Sequence, residues 1–318
     1  MKFRTELSLP PSASPLDPEK PVALLGSCFS ENIGRRMRRS LWDARVNPCG
    51  VLFNPASIRR VLEIAAEEDS ETRDSLLAAS IARKDDLFVS MLFDSSFANA
   101  DFDLCLDGCI AATDMLRDDI AESQALIVTL GTVRVYAIAG HPDLIVGNCH
   151  KLPAAKFECR SLSVAETVGE ITRIEAAAAK ISPSVRIMYT VSPVRHLRDN
   201  FHDNTLSKAT LQLAVAGKEY FPAYELLLDD LRDYRFYAAD LAHPSEEAVG
   251  YIWEKFLDVY AGPGARKLLE KGEELTRLWE HRPNIPFGDS YNSFLAMRMD
   301  KTVKFNRKHP EMLSPADF

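Results

Sequence analysis

The stretch that decides the fold is Pro21-Val22-Ala23-Leu24-Leu25-Gly26-Ser27-Cys28-Phe29-Ser30. Apolar residues run into a Gly-Ser pair, and a helical pattern begins at once. Ile33, Met37 and Leu41 recur at i, i+4 and i+8, with Glu31 in the first turn and Ser30 as the expected cap. A buried strand, a tight turn and a helix start place a small hydroxyl at the carboxyl end of the strand. There the first N–H groups of the helix face whatever that hydroxyl attacks. A Gly-Ser turn also serves as a plain strand-to-helix connection, so a nucleophile needs a base and oxyanion donors from elsewhere in the chain.

Outward from this stretch the alternation repeats. Strands are expected over 21–26, 42–46, 125–130, 185–191 and 235–239. Between them lie a helix over 56–68 marked by Ile58, Val61, Leu62 and Ala65, and a long helix opened by the capping box Ser163-x-x-Glu166. Helices near 207–218 and 224–231 follow, and Pro244 opens one carrying Val249, Ile252, Trp253 and Phe256. This order predicts an α/β protein with a parallel, doubly wound sheet. Residues 56–123 and 133–162 read as insertions on that sheet, the first with helices near 72–83 and 110–120 and a strand near 87–93, the second with a hairpin around Gly140-His141-Pro142-Asp143. The main domain is expected to span 1–261, with a polar helical extension over 262–318.

A 318-residue chain that is 46% hydrophobic and 26% charged suits one large globular domain plus an extension. Its net charge of −8 argues against nucleic acid or an anionic membrane as partner. The run Arg35-Arg36-Met37-Arg38-Arg39 falls mostly away from Ile33 and Leu41 and reads as a solvated helix face. No apolar leader precedes the Pro-rich segment near the start and no run is long enough to span a bilayer, so a cytoplasmic protein is expected. The six cysteines form no C-x-x-C pair, and Cys105 with Cys109 fits zinc poorly; reduced thiols and no metal are the expectation. The triplet Gly288-Asp289-Ser290 follows a Pro-rich segment that cannot be a buried strand, and it reads as the start of a helix.

In an open α/β sheet the carboxyl ends of the strands share one rim, where ligands bind. The expected ends carry Ser27, Gly50, Gly131-Thr132, Ser192-Pro193 and Asp240-x-x-His243. The last spacing lets a carboxylate reach Nδ1 of the imidazole and leaves Nε2 to take a proton from Ser27 as it attacks an acyl carbon. N–H groups of Ser27 or Cys28 and of Gly50 would hold the oxyanion. The same Asp-His pair would also serve as a plain loop cap before the next helix. Cys28 becomes the nucleophile if the turn rotates by one residue. Arg195, after the fourth strand, suits a substrate carboxylate or phosphate as well as a structural ion pair. Cys149 and His150 read as a loop lining the pocket, not a dyad, because neighbours in sequence point apart.

Five ordered blocks carry a resemblance. They are Gly26-Ser27-Cys28-Phe29, Asn47-Pro48-x-Gly50-x-x-Phe53-Asn54-Pro55, Asn148-Cys149-His150-Lys151, Ser192-Pro193-Val194-Arg195-His196 and Asp240-x-x-His243-Pro244-Ser245. Together, over about residues 2–260, they resemble the GSCFA family, with Ser30 where the name has Ala. That family is similar to the SGNH/GDSL hydrolases, Ser-His-Asp esterases and carbohydrate deacylases. The resemblance implies a flavodoxin-like three-layer α/β/α sandwich with a mainly parallel five-stranded sheet. It implies Ser27 as nucleophile, Asp240 and His243 as its acid–base pair, and Gly50 as an oxyanion donor. Asn54, His150, Arg195 and His196 fall in the matching blocks as substrate-side candidates. Where the hydrolases carry Gly-x-Asn, this chain has Gly131-Thr132-Val133, so Thr132 or Asn148 would have to supply the third donor. The implied partner is a small acylated substrate, a carbohydrate or similar alcohol, with no cofactor.

Overall fold

In the computed structural model, which describes residues 4–198 and 200–317, β1 (Val22–Gly26) leads into α1 (Cys28–Arg39) and β2 (Ala44–Val46). Next come α2 (Pro55–Ala65), α3 (Ser70–Ala79), a hairpin of β3 (Ile81–Lys84) and β4 (Leu87–Ser90), and α4 (Phe102–Glu122). β5 (Ala125–Leu130) precedes a small antiparallel sheet of β6 (Arg134–Ile138), β7 (His141–Val146) and β8 (Phe157–Ser161). Then follow α5 (Val164–Ile181), β9 (Arg186–Val191), α6 (Phe201–Ala214) and β10 (Tyr220–Phe221). A short α7 (Ala223–Glu225) continues into a π turn over Leu226–Leu231, and α8 (Glu246–Tyr260), α9 (Pro263–Glu280) and α10 (Asp289–Lys308) end the chain.

The central sheet has the order β10-β9-β5-β1-β2 and is parallel at every pairing. Parallel strands need crossovers that cover both faces, and alternate residues divide accordingly. Ala23, Leu25, Leu126 and Val128 pack under α2, α4, α5 and α6. Val22, Leu24, Ala125 and Ile127 pack against α1, α8 and α9. The result is a three-layer α/β/α sandwich. The order reverses between β1 and β5, the switch point at which open α/β sheets form their crevice.

Three expectations need correction. The fifth strand is Tyr220–Phe221, not 235–239. Residues 234–236 form a 3₁₀ turn, and Tyr237 makes only an isolated bridge to Pro244. The aromatic run there reports stacking under Arg195, whereas a two-residue strand cut off by Pro222 shows no period to read. Residues 56–123 are not material laid over a finished sheet. Ile58, Val61, Leu116 and Ile120 are core residues of one helical layer, as the crossover from β2 to β5 requires. Finally, Ser27 and not Ser30 caps α1; Ser30 is buried and donates to Thr129 Oγ1 at 2.8 Å.

The helices after residue 262 close on the same core: Leu269, Leu275 and Phe305 join Leu41 and Trp42. Leu313 N–H donates to Leu41 O at 2.9 Å. No helix among the described residues is long and apolar enough to cross a membrane. A Cβ on Gly272 would lie 2.2 Å from Ser40 O, so α9 rests directly on the end of α1. Gly272→Ala is therefore expected to cost about 2 kcal/mol of global stability, seen as a lower midpoint of one cooperative thermal transition. A separate low-temperature transition, with the main one unmoved, would show that α9 is not part of this core.

Candidate active site

At Gly26, φ is +138°, and an added Cβ would sit 2.2 Å from Thr129 O. Only glycine lets β1 end this close to β5. The next N–H, of Ser27, continues the ladder to Thr129 O at 3.1 Å, and the chain then turns into α1. Ser27 caps that helix with Oγ accepting from Phe29 N–H at 3.3 Å, and its side chain is buried. Cys28 follows, half-buried. Burial raises its thiol pKa and Glu31 adds to this, while the Cys28 N–H, Lys208 and the Phe29 N–H act in the opposite direction.

Asp240 and His243 form the expected pair, with Oδ2 2.6 Å from Nδ1. The other carboxylate oxygen accepts from Ala242 N–H at 2.9 Å and His243 N–H at 3.0 Å. The backbone N–H groups of His243 and Ala242, then the imidazole, hold the Asp240 carboxyl down to about 2. A carboxylate only accepts, so Nδ1 carries the proton and Nε2 is the basic nitrogen. The loop hangs from the segment after β9: Arg195 N–H donates to Ala242 O at 3.1 Å. The Arg195 guanidinium lies over Tyr237 and Tyr234, 4.5 and 5.4 Å from the ring centroids. Arg195 thus braces the loop. Among the described residues no hydrogen bond joins Ser27 Oγ to His243; each has the local partner given above.

The expected oxyanion N–H groups of Ser27, Gly50 and Thr132 are otherwise engaged. Gly50 has φ +80° and donates its N–H to Asn47 O at 2.8 Å; a Cβ there would meet Asp94 Cγ at 2.3 Å. Glycine is required because the Asp94 carboxylate lies against it. Thr132 donates its N–H to Phe53 O at 2.9 Å, and its hydroxyl is paired with Ser207 Oγ at 3.1 Å. Asn148 Oδ1 accepts from His150 N–H at 2.8 Å. His150 is buried between Ser90 O (2.6 Å from Nε2) and Ser95 Oγ (3.2 Å from Nδ1), and burial lowers its pKa. A carbonyl only accepts, so Nε2 bears hydrogen, and the ring is a neutral brace between two loops.

Two residues remain at the rim. Leu52 N–H donates to Gly26 O at 3.0 Å and Phe53 O accepts from Gly131 and Thr132, so the segment before Asn54 crosses from β1 to β5. Asn54 caps α2 through Oδ1, leaving Nδ2 without a protein acceptor among the described residues. His196 places Nε2 3.1 Å from Gly131 O, with its ring edge-on to Phe53.

The residue that sequence reading missed is Lys208. It is 1% exposed, and Nζ donates to Gly131 O and Ser192 O, both at 2.7 Å. Burial lowers its pKa to about 7, and its interaction with Cys28 opposes that shift. A signal existed: Asn204, Ser207, Lys208 and Leu211 form one inward stripe of α6, so a lysine stands at a core position. Among the described residues no cluster of His, Cys, Asp and Glu forms a metal cage.

The Asp240 pair sets a pH window. A carboxyl depressed below its usual range contributes order that is present at pH 4 and above and is lost as the pH falls through about 2. An NMR titration of the Asp240 carboxyl carbon is expected to show a midpoint near pH 2, with the Ala242 and His243 amides shifting alongside. A midpoint near 4 would mean that the pair does not hold in solution.

A search of the curated proteins finds no match to this chain. The family model described as the GSCFA family matches residues 21–256, from the start of β1 into α8. Its span takes in Ser27, Gly50, Asp240 and His243, and the chain belongs to the GSCFA family.

Proposed function

We propose that this protein is a serine hydrolase of the SGNH type, a deacylase that removes a short acyl group such as acetyl from a carbohydrate or other small alcohol. The observation that carries this reading is the Asp240–His243 pair at 2.6 Å, gripped by two backbone N–H groups and tied to the segment after β9. That segment follows β9, and Ser27 follows β1 in the same parallel sheet. In the proposed reaction Ser27 Oγ bonds to the acyl carbon as its proton passes to His243 Nε2, and the alcohol leaves with that proton. Water then releases the acyl-Ser27 ester by the same route in reverse. The proton transfer requires the exposed loop to close on Ser27 or one water to relay it. An acceptor alcohol in place of water would make the same site an O-acyltransferase.

A second reading has its own support. The N–H groups of Ser27, Gly50 and Thr132 all have main-chain acceptors, so none is poised for an oxyanion. A protein of this kind would bind a carbohydrate or partner without turnover.

Fluorophosphonate labelling separates the readings. Labelling of the wild type that disappears in Ser27→Ala supports the hydrolase, and hydrolysis of p-nitrophenyl acetate should then fall about 1000-fold or more in Ser27→Ala and in His243→Ala. Labelling that survives Ser27→Ala but not Cys28→Ala moves the nucleophile by one residue. An unlabelled, inactive protein that still binds acetylated sugars is the binding protein.

A further inference from the structure

We propose that Lys208 is the cation that stabilises the oxyanion formed when Ser27 attacks its acyl substrate, an inference that rests on the hydrolase reading. Gly131 and Ser192 are the first residues beyond β5 and β9, and the Lys208 ammonium bridges their carbonyls at 2.7 Å each. β5 is the direct neighbour of β1, and the Ser27 N–H is bonded to Thr129 O, two residues before Gly131. The charge therefore stands one strand from the nucleophile.

Four features distinguish this lysine from a simple staple between strand ends. It is 1% exposed, yet no carboxylate pairs with it among the described residues. A buried cation without a counter-ion is costly, and an anion that forms during the reaction is its natural complement. An ammonium has three N–H groups, and the two carbonyls take two of them. The titratable groups facing it are the Cys28 thiol on α1, the Tyr224 ring 5.8 Å away and His196, which shares Gly131 O. None of these is an anion in the resting site near neutral pH. Of the expected main-chain donors, finally, the N–H groups of Ser27, Gly50 and Thr132 are already engaged, which leaves that of Cys28.

The step balances without moving a proton on Lys208. The Ser27 O–C bond forms, the carbonyl π pair moves onto oxygen, the Ser27 proton goes to His243, and Lys208 contributes charge and its remaining N–H. An anion arriving beside the ammonium favours its protonated form.

The test uses the full chain and two readouts. The first is the pH dependence of Cys28 alkylation by iodoacetamide, followed by peptide mass spectrometry. In Lys208→Met the alkylation rate below pH 7, where the wild-type ammonium is protonated, is expected to fall about 3-fold or more. The second is p-nitrophenyl acetate hydrolysis, where Lys208→Met should lose about 100-fold in kcat with little change in KM. The wild-type kcat/KM should fall as the pH rises through about 7, and Lys208→Arg should move that limb upward. The wild-type profile remains decisive if Lys208→Met does not fold. An unchanged Cys28 alkylation rate below pH 7 in folded Lys208→Met, or full turnover in that variant, overturns the inference and leaves the hydrolase standing. A wild type inert to both ester and fluorophosphonate overturns the hydrolase reading and this role with it.

Discussion

The site depends on how closely β1 approaches β5 at the carboxyl rim. Thr129 O lies where a Cβ of residue 26 would be, so glycine there is a condition of the sheet as well as of the turn. Because the strands meet so tightly, the ladder extends by one more bond to Ser27 before α1 begins. That bond aims the Ser27 hydroxyl at the helix start, and it also uses the N–H that an oxyanion would want. The position of Ser27 and the engagement of its N–H are thus set by the same contact.

The neighbouring segments follow from it. Leu52 and Phe53 run from Gly26 to Gly131 by main-chain hydrogen bonds, across the carboxyl ends of β1 and β5. Their carbonyl and amide groups are satisfied, as buried backbone must be. The polar groups left over at the rim are side chains: the Asn54 amide, the Lys208 ammonium and the Asp240–His243 pair.

The helical layers supply the rigidity this arrangement needs. β1 and β5 are buried on both faces, by α2, α4, α5 and α6 on one side and by α1, α8 and α9 on the other. By contrast, the Asp240–His243 loop is half-exposed and held by a few hydrogen bonds and the Arg195 stack on Tyr234 and Tyr237. Ser27 therefore stands on a packed strand end, and Asp240 and His243 on a more exposed loop.

Local order along the chain was enough to determine the layered α/β class, the strand–turn–helix around Ser27 and the Asp240-x-x-His243 pair. Each is set by neighbours within a few residues: apolar period, turn chemistry, or the reach of one side chain across a short loop. Only the tertiary structure decided that the last strand is Tyr220–Phe221, because two residues carry no period and the aromatic residues near Tyr237 serve a guanidinium instead of a sheet. It alone decided that Gly50 makes room for Asp94 and that Thr132 spends its N–H on Phe53. It alone brought Lys208, a position inside the helix expected near 207–218, to the gap between β5 and β9. Hydrogen-bond acceptors for these groups come from segments distant in sequence, and a buried polar atom takes whichever partner packing delivers.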